Sequence, residues 1–414
     1  MRSDGGRQSR GLKAVSLITW GRGRFRSHDA QEPPRKGAQR NNQNRYSAGE
    51  DLPESVGNIP EKALAVAREF AAGDPFYQGP RLDVVARGGD RVFTFGGKEY
   101  VVPAGKDHTG ALARYFGDFV GREWLTERLR TKRGRTHPLC QIAFNAQEFA
   151  KRTVPRVRAA GRTHYVHCGA EREIMTLAED MVRLEAANSL PADTLGRLRK
   201  RDGYQGARYE LAVAAAFVRL GFTIRWIPTS QPGPEFVATH PITGDAIAVE
   251  AKSRHRGSEV QFVARADARA IASIKADVGE LYGLACKKPT FGLPYAVFID
   301  ANIPYRWRSE DLLLDLQELA GCLVGRPQPT ATAPAPEFLL CFTSCGWYYA
   351  LSAPHAPVQY LSTFPHWTTR TPRNFNTFVA IIQAINGMYS LPGSDDIKVD
   401  MNAEIAKKLG FADA

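Results

Sequence analysis

The stretch Pro234-Glu235-Phe236-Val237-Ala238-Thr239-His240-Pro241-Ile242-Thr243-Gly244-Asp245-Ala246-Ile247-Ala248-Val249-Glu250-Ala251-Lys252 holds two apolar runs joined by a turn-rich link. Short apolar runs bounded by Pro, Gly and Asp read as strands. In the second, alternation places Ala248, Glu250 and Lys252 on one face and Ile247, Val249 and Ala251 on the other. Charges thus interrupt a core-like strand on one side only. A surface ion pair would account for Glu250 and Lys252 and would add little stability, but Glu250 lies within the apolar run. With Ala238 facing Ala246, Glu235 stands opposite Val249 and diagonally near Glu250. A one-residue slip or bulge decides whether both carboxylates share a face. If they do, one must protonate or a cation must bind between them. Such oxygen ligands suit Mg²⁺, which is usually held by one or two protein carboxylates.

Working outward, Tyr204–Leu220 reads as a helix stopped by Gly221, a residue suited to the position after a helix end. Glu210 shares a face there with Val213, Ala214 and Phe217. A carboxylate on that stripe requires compensation, unless it sits at the edge and pairs with Arg208 or reaches water. Downstream the pattern predicts a helix over 262–285, a strand over Tyr295–Ile299 and a helix over 309–320. A Pro/Ala/Thr-rich loop at 327–336, a strand at Phe338–Phe342, another near Val358–Leu361 and a helix over Phe375–Ser390 complete the series. Helix, strand meander, helix and strand predict an α/β (α+β) layer structure with a mixed sheet flanked by helices.

Glu210, then Pro234-Glu235, then Glu250-Ala251-Lys252, on helix, strand and strand, resembles the PD-(D/E)XK nuclease superfamily, the restriction-endonuclease-like fold, over about residues 203–300. The resemblance implies a Mg²⁺-dependent nuclease, with Mn²⁺ as a workable substitute, hydrolysing phosphodiester bonds of DNA rather than RNA. It implies metal ligation by Glu235 and Glu250, assistance from Glu210, and a catalytic Lys252 that orients or polarises the attacking water. Defence against foreign DNA is a natural role for such an enzyme, and many members pair as homodimers to cut both strands. The chain departs from the family at Glu235, where Asp is usual; the extra methylene moves the carboxylate by roughly 1.5 Å. That departure favours a second reading, a nucleic-acid-binding protein that kept the fold and lost the chemistry. Asp396-Ile397-Lys398 repeats the bare acid-x-Lys pattern, but in a polar segment without an acid-bearing strand before it, and reads as chance.

The 55 Lys and Arg against 43 Asp and Glu give a formal charge of +12, concentrated in two segments. Residues 1–50 carry eleven basic groups against four acids, and residues 121–165 carry eleven against three. Two basic surfaces on a near-neutral body suit a polyanion, although a soluble tail and a solvated helix face would look similar. Within the second segment Arg130, Lys132, Arg133 and Arg135 are candidate phosphate contacts. Ser253, Arg254 and Arg256, directly after the charged strand, are others; an exposed loop would explain them equally.

The expected organisation is a disordered basic arm over 1–55, a mainly helical domain over 56–200, a nuclease-like domain over 201–392 and a tail over 393–414. The helical part contains a hairpin about Gly96-Gly97 and helices near 108–132 and 171–188. Six cysteines are too few for a disulfide scaffold in so long a chain. No apolar run reaches the length of a membrane span and no secretory signal is evident, so no membrane partner and a cytoplasmic location are expected. His137, Cys140, His164, His167 and Cys168 form the other metal-like grouping, but their spacing matches no standard zinc finger and zinc is not expected. Cys341 and Cys345 read as packing, and Trp347-Tyr348-Tyr349 as an aromatic strand rather than a base-stacking platform. No glycine loop for ATP or NAD is present.

Overall fold

The computed structural model describes residues 84–103, 109–131, 136–159, 167–240, 244–254, 268–302, 338–343 and 361–366. The arm over 1–55, the helices expected over 309–320 and Phe375–Ser390, the tail, His164, the aromatic run at 347–349 and the Asp396–Lys398 triplet lie outside them. The described residues form an α+β structure with two sheets.

The first sheet is an antiparallel meander of β1 (Val84–Arg87), β2 (Asp90–Phe95) and β3 (Lys98–Val102). Gly96 and Gly97, at φ 53° and 70°, form the tight turn between β2 and β3. Both positions need positive φ, which glycine adopts without steric cost. Phe95 and Tyr100 meet the ring of Tyr115 edge-on from this sheet.

The helical run expected over 108–132 is two helices, α1 (Thr109–Val120) and α2 (Arg122–Leu129). Gly121, at φ 88°, breaks it, and Arg199 donates to the freed Val120 carbonyl at 2.6 and 3.1 Å. A third helix, α3 (Pro138–Ala159), was not expected. Its buried Leu139, Ile142, Ala143, Ala146 and Phe149 recur at helical spacing. Next come α4 (Gly169–Ala186), which buries Ile174, Leu177, Met181 and Leu184, the short α5 (Thr194–Leu198) and α6 (Tyr204–Arg219).

Helix α6 is held in two ways. Gly221, at φ 80°, lets the Phe222 amide turn back to the Phe217 carbonyl (3.1 Å) and satisfies the helix end. Across its contact with α4, Arg208 pairs with Glu173 (3.0 Å) and Asp180 (2.8 Å), while Arg219 reaches the other Asp180 oxygen at 3.0 Å. Asp180 is thus clamped between two guanidiniums in the interior.

The second sheet has the order β4 (Thr223–Trp226), β5 (Phe236–Thr239), β6 (Ala246–Ser253), β7 (Tyr295–Asp300), β8 (Phe338–Thr343) and β9 (Leu361–His366). Strands β4 to β6 are antiparallel, β6 to β8 parallel, and β9 returns antiparallel. The β6–β7 crossover contains α7 (Ala268–Cys286). Phe217 of α6 packs edge-on against Phe236 and Phe298. Truncating that ring to Ala would cost about 3–5 kcal/mol. Ile247, Val249 and Ala251 belong to this α6-facing core, which leaves Glu250 and Lys252 on the other face of β6.

One apolar cluster extends from Phe93 through α1, α3, α4 and α6 to Cys341. Packing therefore crosses the position near residue 200 expected for a domain boundary. Among the described residues no helix is long and apolar enough to cross a membrane.

Candidate active site

The β5–β6 register differs by one residue from the Ala238–Ala246 alignment: Ala238 pairs with Ile247, and Phe236 with Val249. Glu235 immediately precedes β5, and its amide donates to the Val249 carbonyl at 3.0 Å. The shift brings the Glu235 side chain beside Glu250 rather than merely diagonal to it. Apolar pairing on the α6 side drives it, because Phe236 and Val249 are both fully buried there.

Lys252 Nζ lies 3.1 Å from Glu235 Oε1 and also contacts Glu250 Oε1. Lys288, two residues beyond α7, bridges the same two oxygens, at 3.1 Å from Glu235 and 2.8 Å from Glu250. Two ammonium groups therefore span one pair of carboxylate oxygens. Exposure is graded across the cluster: the Glu250 side chain is 0% exposed, Glu235 18%, Lys252 22% and Lys288 30%. The site opens on the lysine side and is closed behind Glu250.

Glu210 approaches from α6, and its direct partner is Arg197 of α5, at 2.5 Å. The charges of Glu235 and Lys252 also act on it. Arg208, the partner weighed for it from sequence, instead belongs to the α4 contact.

Burial and the neighbouring Glu235 push Glu210 up to about 7, against the opposing pull of Arg197. Burial and Glu235 likewise raise Glu250, opposed by Lys252 and Lys288. Burial would raise Glu235 as well, but Lys252 and Lys288 outweigh it and leave this carboxyl below its usual range. For Lys252, burial favours the neutral amine, yet Glu250 and Glu235 prevail and keep it charged. Adjacent carboxylates driven in opposite directions are a pattern found at sites of acid–base or metal chemistry, and also in structural ion clusters.

Neither buried oxygen of Glu250 has an aligned hydrogen-bond partner; the ammonium contacts to Oε1 are close but poorly directed. A hard divalent cation is compatible with such a donor set, held by Glu235 and Glu250 with water completing its shell. Among the described residues no group of three or more His, Cys, Asp or Glu side chains is arranged to hold a metal ion.

Ser253 and Arg254, candidates for phosphate contact, are buried and engaged internally. Ser253 Oγ donates to Asp300 at 3.1 Å, and the Arg254 side chain is paired with Asp277 at 2.6 Å. The Arg254 carbonyl accepts from Gln205 and from Asn302. These contacts anchor the end of β6 to α6, α7 and β7. Arg130 is exposed at the end of α2, whereas Lys132, Arg133, Arg135 and Arg256 lie outside the described residues. Of the zinc-like grouping, His137 contacts the Arg199 carbonyl (2.9 Å), His167 contacts Glu171 (2.9 Å), and Glu171 also accepts from the Cys168 amide.

Sequence reasoning missed Lys288 and Arg197. The only local signal for the former is the Lys287-Lys288 pair between α7 and β7, and β6–β7 pairing is what brings it near Glu250. Comparison of the chain with protein-family models, with curated proteins and with solved structures finds no match.

Proposed function

We propose that the protein is a metal-dependent nuclease of the restriction-endonuclease-like fold, hydrolysing phosphodiester bonds of nucleic acid, DNA rather than RNA. The observation that carries this reading is the convergence of Glu235, Glu250 and Lys252 at one partly open site, with Glu210 alongside. Further support comes from the order of elements: an acid-bearing helix, an antiparallel meander, a helix and a parallel strand.

Glu235 and Glu250 would hold Mg²⁺. When bound, that ion supplies a more acidic water and neutralises charge developing on the phosphate. Lys252 contributes a compact positive charge beside the carboxylates, suited to orienting the attacking water or meeting a phosphate oxygen. Glu210, with a carboxyl titrating near neutrality, can accept a proton near the site at physiological pH. The exposed Arg130 and the basic segment around it add phosphate attraction without reading sequence.

Incubating plasmid DNA with the protein and Mg²⁺ tests the proposal. Cleavage is expected, and Glu250→Ala and Lys252→Ala should each slow it by about 10²–10³-fold. A second reading, a nucleic-acid-binding protein without catalysis, is favoured by Glu235 in place of Asp and by the lysines already neutralising the carboxylates. Salt-sensitive DNA binding without cutting in Mg²⁺ or Mn²⁺ would establish it and exclude the nuclease.

A further inference from the structure

Lys288 is the feature of the site that the nuclease reading leaves unused. Its ammonium lies 3.1 Å from Glu235 Oε1 and 2.8 Å from Glu250 Oε1, the same oxygens that Lys252 bridges. Three carboxylates (Glu210, Glu235, Glu250) are thus balanced by three cations (Arg197, Lys252, Lys288) before any metal enters. Adding a divalent ion to a balanced set produces a surplus of positive charge, which is unfavourable in a partly buried pocket. An ammonium and a hard metal also use the same lone pairs of a carboxylate oxygen.

The two lysines are not equally placed to yield. Lys252 belongs to β6, a strand paired on both sides. Lys288 follows the end of α7, and its side chain is the more exposed of the two. A flexible four-carbon stem at such a position can carry its charge outward into water at little cost.

We infer that Lys288 is a resident counter-cation that a divalent metal must displace from between Glu235 and Glu250, so that it sets the metal affinity of the free protein. The inference rests on the metal-binding role of these two carboxylates under the nuclease reading, and it concerns binding, not turnover. It also implies that a phosphodiester anion, by offering the displaced ammonium a new partner, strengthens metal binding.

Titration of the full chain with Mn²⁺ alone, followed by electron paramagnetic resonance of the free ion, tests it without a cleavage readout. Lys288→Met and Lys288→Gln, which remove the charge with different stems, should each bind Mn²⁺ roughly ten-fold more tightly than the unaltered protein. Lys288→Arg, which keeps the charge, should bind less tightly than either. Equal or weaker binding by both neutral variants, with Mn²⁺ still captured and lost in Glu250→Ala, overturns the inference and leaves the nuclease reading standing. Absence of Mn²⁺ binding in every protein overturns the metal reading and the inference with it.

Discussion

Two clusters of carboxylates and cations lie within this fold, one between α4 and α6 and the other on the Glu250 face of β6. At the first, both Asp180 oxygens are taken, by Arg208 at 2.8 Å and Arg219 at 3.0 Å, and Arg208 continues to Glu173. At the second, Glu235 and Glu250 stand together, two lysines crowd one oxygen of each, and Glu250 is left without an aligned hydrogen bond. The ingredients are the same and the arrangement differs. Directed pairing of Asp180 with two guanidiniums ties α4 to α6, whereas at the second cluster both lysines donate to Glu235 at 3.1 Å and meet Glu250 without aligned hydrogen bonds. Under the nuclease reading, a carboxylate such as Glu250 is kept for a ligand rather than for the fold.

The contrast is most sharply tested at Asp180. Asp180→Ala removes the shared partner of two buried guanidiniums and should destabilise the protein by about 3–5 kcal/mol, read as a lowered midpoint in urea unfolding. A loss below 1 kcal/mol would show that the α4–α6 cluster is no more structural than the β6 one, and the comparison would fail.

A somewhat smaller effect is expected from Glu210, whose carboxyl is raised from 4.5 to about 7, by burial first and Glu235 second. A carboxyl raised on folding binds more protons in the native state than in the unfolded one between those values. Stability therefore falls as pH rises from about 4.5 to about 7, by no more than about 3 kcal/mol. Asp180, raised by burial to about 6, adds its own slope below that pH, but this cancels when Glu210→Gln is compared with the unaltered protein. The difference in unfolding free energy between the two should change across pH 4.5–7 and level off above it. A flat difference would remove Glu210 from the site's electrostatics.

What the sequence made legible follows the reach of each signal. Strands β5 to β8 and helix α6 were readable because apolar runs and a terminal glycine are local marks, and the face of Glu250 and Lys252 followed from alternation. The register was not, since only the burial of Phe236 and Val249 against α6 selects it. Helix α3 escaped because Lys151, Arg152 and Pro155 interrupt its later turns, although its earlier apolar spacing was present. Arg254 was misjudged as a loop cation because nothing local reveals Asp277, which lies 23 residues away and is brought close by α7. Lys288 illustrates the same limit: a lysine becomes a site residue through the strand pairing that surrounds it.

The finest discrimination comes from Glu250→Gln, a nearly isosteric change. It removes a fully buried charge and its repulsion with Glu235, and forfeits attraction to two lysines that still have Glu235 and partial access to water. Because Glu250 is raised on folding, by burial first and Glu235 second, its ionisation works against the folded state at high pH. The substitution should therefore stabilise the protein near pH 8, and the gain should fade as acid protonates the original carboxyl in both states. Under the nuclease reading the same variant loses cleavage, a trade of activity for stability expected where a site keeps a charge the fold does not need. Thermal unfolding at pH 8 and at pH 4 measures the gain and its disappearance. A loss of about 3 kcal/mol or more instead would place Glu250 with Asp180, as a charge whose partners hold the structure together, and would erase the distinction between the two clusters.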